Sequence, residues 1–176
     1  SYNTATGKQA LENNTTGVRN TAHGYQALKV NSTASNNSAL GQMALKSNTT
    51  GASNVAVGKD AMVTNTTGTD NTAVGTQALN SSTTGDYNVA VGGGALFNNT
   101  TASQNTAVGK NAMRATTTGA ANVAVGETTL GDCTTAPYNT AVGMKALVRT
   151  TTGGYNTSIG YEAGYANTTG TQNTFL

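Results

Sequence analysis

The chain has 176 residues, only 9% of them charged, and a formal net charge of +2. A balance that weak excludes an electrostatic footprint for nucleic acid, and no apolar run is long enough to insert in a membrane as a helix. Two phenylalanines, seven tyrosines and no tryptophan argue against a conventional globular core, and Cys133, the sole cysteine, has no intrachain partner and says nothing about compartment.

What organises the chain is the pentapeptide Asn-Thr-Ala-Val-Gly, intact at residues 71–75, 105–109 and 139–143. Its asparagine recurs at Asn3, Asn20, Asn37, Asn54, Asn71, Asn88, Asn105, Asn122, Asn139, Asn156 and Asn173, always 17 residues apart. A fixed period of this size marks a stacked array. Ten complete units fill residues 3–172 and a partial one occupies 173–176. One unit is too short to bury a core alone, so the units must stack on each other as a single repeat domain over 1–176. The missing initiator methionine and the stop inside a repeat predict a fragment of a longer fibre protein.

Positions 1 to 17 are numbered from each asparagine. Positions 2–4, typically Thr-Ala-Val or Val-Ala-Val, predict a short strand, because β-branched residues suit a pleated, half-buried surface. The glycine at position 5, present in every unit from Gly7 to Gly160, should end that strand. Positions 8 and 9, mostly Ala-Leu or Ala-Met, predict the start of a second strand. Positions 12–15, typically Asn-Thr-Thr-Gly, predict a turn. Two strands and two turns make one flattened coil. The fold class expected is an all-β parallel β-solenoid, or β-roll, of ten 17-residue coils, a rod of roughly 48 Å if neighbouring coils stand about 4.8 Å apart. Helices are excluded by the glycines and β-branched residues in every window.

The charges test this register independently. All sixteen fall at positions 6, 7, 10, 11, 16 or 17, which must then be the solvent side. The asparagine column, Asn54, Asn71, Asn88, Asn105, Asn122 and Asn139 among its members, is expected to be a structural ladder of the kind that stacked amides form in cross-β assemblies. The threonines at positions 13 and 14 are expected to bond their hydroxyls along the stack or to cap the turn.

Alternate strand residues face opposite ways. Position 3 therefore lines the coil interior, and position 4 places Val57, Val74, Val91, Val108, Val125 and Val142 on the outer face. A continuous apolar stripe on a lone chain marks an interface. The expected partner is the chain itself, as a homotrimer, intertwined or side by side.

The motif carries a resemblance. Asn-Val-Ala-Val-Gly, two variable residues and Ala, at 54–61 and 88–95, resembles the head repeat of YadA-type trimeric autotransporter adhesins. The longer form with Ala-Leu and Asn-Thr-Thr-Gly resembles repeats of phage tail fibres that lie upstream of self-cleaving chaperone domains. The resemblance implies three chains around a shared core and an extracellular place, on a virion fibre or a cell surface. The period exceeds the usual adhesin repeat.

No catalytic constellation is evident, and the chain is expected not to be an enzyme. His23, the single histidine, lies on the outer strand face with no carboxylate in its coil. Seven scattered carboxylates offer no paired acid and base and no calcium cage, so no cofactor or metal is expected. Gly92-Gly93-Gly94 lacks the lysine and helix of a phosphate loop. Cys133 reads as a thiol in a surface turn. Tyr87, Tyr138 and Tyr155 share position 17, and Tyr25 and Tyr161 share position 6. The first three are candidates for surface binding to a cell-surface glycan or receptor. The leading function is thus a structural shaft or head segment of a trimeric fibre, a phage tail fibre or surface adhesin, used in host or surface attachment. A glycan-binding module is the alternative, and an ice-binding solenoid presenting threonine columns is the second alternative.

Overall fold

The computed structural model describes residues 2–176. Eleven strands lie in chain order in one parallel sheet: β1 (Thr4–Thr6), β2 (Thr21–His23), β3 (Ser38–Leu40), β4 (Val55–Val57), β5 (Thr72–Val74), β6 (Val89–Val91), β7 (Thr106–Val108), β8 (Val123–Val125), β9 (Thr140–Val142), β10 (Thr157–Ile159) and β11 (Thr174–Phe175). Each residue pairs with the one 17 positions on, as Ala56 does with Ala73 and Ala73 with Ala90. The chain is therefore a parallel β-solenoid of about ten turns.

Each strand stops at the glycine of position 5, whose φ lies between +125° and +138°. Only glycine occupies that region without strain. Close approach adds a second reason. A Cβ on Gly75 would stand 2.6 Å from the carbonyl carbon of Gly92 in the next coil.

The second strand expected at positions 8 and 9 is not formed. Positions 6–11 instead curl through a tight arc in which positions 7 and 9 are left-handed. Gln26 has φ +58° and Leu28 +49°, and the nine other coils place non-glycine residues at one or both of these positions in the same way. Such a conformation is unfavourable by roughly 1–2 kcal/mol per residue. It persists because bonds between coils hold the arc: Gln26 N–H donates back to Lys8 O at 3.0 Å, and Leu28 N–H donates forward to Ala44 O at 3.1 Å. Within the coil, Asn31 N–H closes onto Leu28 O at 3.2 Å.

The arc points the position 9 side chain inward. Leu28, Leu45, Met62, Leu79, Leu96, Met113, Leu130 and Leu147 are fully buried, packed against the alanines of positions 3 and 8. Burying each such side chain is worth about 1.5–3 kcal/mol, and the small alanines let the opposite walls of the coil meet. None of the sixteen charged residues is buried, so the solvent register is that of the charge pattern.

At the C-terminal end the core changes partners. Position 9 is Gly164 rather than leucine, and position 3 of the last, partial coil is Phe175 rather than alanine. A Cβ on Gly164 would stand 2.8 Å from Phe175 Cδ2 and 2.7 Å from Leu147 Cδ2. The phenylalanine ring fills the space that the missing leucine leaves.

Candidate functional surfaces

Asn54, Asn71, Asn88, Asn105, Asn122 and Asn139 are all fully buried. Each Oδ1 accepts the backbone N–H of the next asparagine in the column, as Asn54 Oδ1 does from Asn71 N at 3.0 Å. Each Nδ2 donates to the position 15 carbonyl of its own coil, as Asn71 does to Gly85 O at 2.8 Å. Amide-to-amide bonds between side chains also occur, at 3.2 Å from Asn71 to Asn54 and 3.1 Å from Asn88 to Asn71. The column thus ties side chain to backbone more than side chain to side chain.

A second buried column stands at position 12, inside what the sequence reads as a surface turn. Asn31, Asn48 and Asn65 donate to the preceding asparagine at 2.8, 3.2 and 2.8 Å. They also donate to the position 15 carbonyl of their own coil, so that Asn37 and Asn48 converge on Gly51 O at 2.9 and 2.8 Å. Two asparagines from opposite sides of the turn share one acceptor and fix its shape. The column then changes to Ser82, Asn99, Thr116, Cys133 and Thr150, all fully buried. Cys133 is therefore a rung of this inner column and not a surface thiol. The turn is charge-free because its first residue points inward, which composition alone does not reveal.

The outer strand face carries the valines of position 4. Val74, Val91, Val125 and Val142 are 36–37% exposed, while Val57 and Val108 are half-buried. Val55 and Val123 at position 2 add to the same face. No charged residue lies at position 2 or 4 in any coil. Three residues per strand over ten strand spacings give a charge-free patch on the order of 400 Å². His23 is exposed on this face beside Thr6 and Leu40 in the sheet register. Among the described residues, no three His, Cys, Asp or Glu side chains gather as a metal centre would require.

Tyr138 and Tyr155 stack with ring centroids 4.9 Å apart and planes 22° apart, and both rings are more than half exposed. Tyr87 is as exposed but stands three coils from Tyr138, with Gln104 and Ala121 between them in the column. The fold brings two of the three candidate tyrosines together. The threonines divide. At position 13 the hydroxyl donates forward, as Thr66 does to Thr83 O at 3.0 Å; at position 14 the side chain is exposed in all ten coils.

The run Gly92-Gly93-Gly94, which lacks the features of a phosphate loop, interrupts the variable surface instead. Gly93 and Gly94 leave positions 6 and 7 of the sixth coil without side chains. Over them opens a depression of about 400 Å³, lined by Gln77, Phe97, Lys110, Asn111 and Arg114 among others. A smaller one of about 270 Å³ adjoins it, bordered by Asp132 and sharing Asn111 and Arg114. The Arg114 guanidinium lies 5.2 Å from the centre of the Phe97 ring. No family model, curated protein or solved structure matches the chain.

Proposed function

We infer that the chain is a non-catalytic segment of a fibre, a shaft or head in which three copies associate through the outer strand face, and that the fibre serves attachment outside the cell. The observation that carries this reading is the Val57 to Val142 column. It stays apolar and charge-free over the six coils from Val57 to Val142, yet the single chain leaves four of its six valines more than a third exposed. Nothing inside the coil requires an apolar residue at an outward position, since Thr6 and His23 occupy it in the first two coils. Covering the exposed third of each valine is worth about 0.5–1 kcal/mol per side chain, repeated in every layer and every chain. The likeness of residues 54–61 and 88–95 to trimeric adhesin head repeats supports the same assembly. The mass of the protein in solution, by light scattering, tests it: three chains are expected.

Direct binding of glycan by the segment is the second reading, favoured by the exposed Tyr138–Tyr155 stack. Two adjacent aromatic faces on a rigid coil give a sugar ring an apolar surface at little entropic loss.

A further inference from the structure

We propose that the depression over Gly93 and Gly94 binds a saccharide unit carrying one anionic group, a carboxylate or a sulfate ester. Four observations lead there. The notch exists because two adjacent positions that hold side chains in all nine other complete coils hold glycine in this one. Its volume of about 400 Å³ falls in the range of small-ligand sites. Its lining combines one aromatic ring, two cations and two primary amides, Phe97, Lys110, Arg114, Gln77 and Asn111. An apolar face with a few placed polar groups is what a sugar presents a use for, since one side of its ring is C–H and its rim is hydroxyl.

The cations are unspent. The two ion pairs among the described residues join Lys29 to Glu12 and Lys145 to Glu162, and neither Lys110 nor Arg114 takes part. The Phe97 ring holds the Arg114 guanidinium by one face, which leaves its edge free to donate two parallel hydrogen bonds to a carboxylate or sulfate. Asp132 borders only the adjoining depression. No carboxylate lines the notch itself.

This inference extends the attachment role to a class of ligand and does not depend on trimerisation, so a mass of one chain would leave it standing. The test is an NMR titration of the isotopically labelled protein with methyl glucuronide, galactose 6-sulfate and neutral methyl galactoside. The side-chain amides of Gln77 and Asn111 report on the notch. Either acidic sugar, or both, is expected to shift them, and the neutral sugar is not. Two variants borrow residues from equivalent positions in other coils, so the fold carries them: Arg114→Val, as at Val63 and Val148, and Gly93→Thr, as at Thr76. A Cβ on Gly93 meets nothing nearer than Thr76 O at 3.9 Å. Each should weaken binding about tenfold, the worth of one charge-assisted pair or of the lost space. No shift with either acid at concentrations on the order of 10 mM, where weak single-sugar sites still register, would overturn the proposal. So would equal shifts with methyl galactoside, or affinities unchanged in both variants.

Discussion

Asn65 and Ser82 occupy consecutive rungs of one buried column, and neither Asn65 Oδ1 nor Ser82 Oγ has a hydrogen-bond partner. One coil earlier the same oxygen is satisfied, because Asn65 Nδ2 reaches Asn48 Oδ1 at 2.8 Å. Serine is too short to span the gap. A buried polar group left unpaired costs about 1–3 kcal/mol. Ser82→Asn should restore both bonds, to Asn65 Oδ1 and to the position 15 carbonyl, Gly85 O. The backbone already accepts asparagine on six of the other rungs. Chemical denaturation should show a gain of about 1–2 kcal/mol, and a lower midpoint would show that the rung is not free to accept the amide.

Gly164 and Phe175 compensate each other, so their substitutions should couple. Gly164→Leu restores the usual core residue but overlaps the phenylalanine ring, and overpacking of this kind destabilises by about 1–3 kcal/mol. Adding Phe175→Ala returns both positions to the residues used in most coils. The double variant should recover most of the loss. Melting temperatures of the two single variants and the double variant form the cycle, and simple additivity would show that the two residues do not share a site.

Cys133 gives the fold a dependence on alkaline pH. Desolvation by burial pushes its thiol from 9.0 up to about 11, against a smaller lowering by hydrogen bonding with the Thr116 side chain and the Ala136 backbone. Above pH 9 the unfolded chain loses this proton while the folded chain keeps it, so the unfolded state binds fewer protons and stability falls as pH rises. The contribution is present below pH 9 and is lost between pH 9 and about 11. Cys133→Thr, the residue of the rungs on either side, removes it. Compared at pH 8 and pH 10.5, the native protein should lose more stability than this variant, by on the order of 1–2 kcal/mol. Equal losses would place the thiol in water. Native Cys133 should also resist thiol reagents at pH 8 until the chain unfolds.

Much of this architecture is legible in the sequence. Seventeen-residue spacing without a single insertion fixes the register, and sixteen charges confined to six positions separate surface from interior. The inward and outward faces of Thr72–Val74 follow from strand alternation. What the residues do not reveal is the left-handed arc. Leucine and methionine at position 9 carry no local preference for φ near +50°, and the stack imposes it through bonds to neighbouring coils. Position 12 escaped for a related reason. Asn-Thr-Thr-Gly has the composition of a surface turn, and only the fold shows that Asn48 and its equivalents point inward to the Gly51 carbonyl and the next rung. The notch at Gly93 and Gly94 is a matter of side chains missing in one coil while Phe97 of that coil and Arg114 of the next stand beside it, a juxtaposition that only the stacking of coils completes.

The trimer reading makes the outer face sensitive and the variable positions indifferent. Val91→Asp would set three like charges near one axis in a poorly hydrated core, where they repel strongly and must either take up protons or break the layer. Lys59→Asp, at an exposed position 6, should leave assembly unchanged. The most direct measurement is the solution mass of the native chain and of Val91→Asp by light scattering at neutral pH. The account predicts three chains for the native protein and for Lys59→Asp, and a smaller mass for Val91→Asp. A native mass of one chain, or a Val91→Asp protein that remains fully trimeric and equally heat-stable, would contradict it.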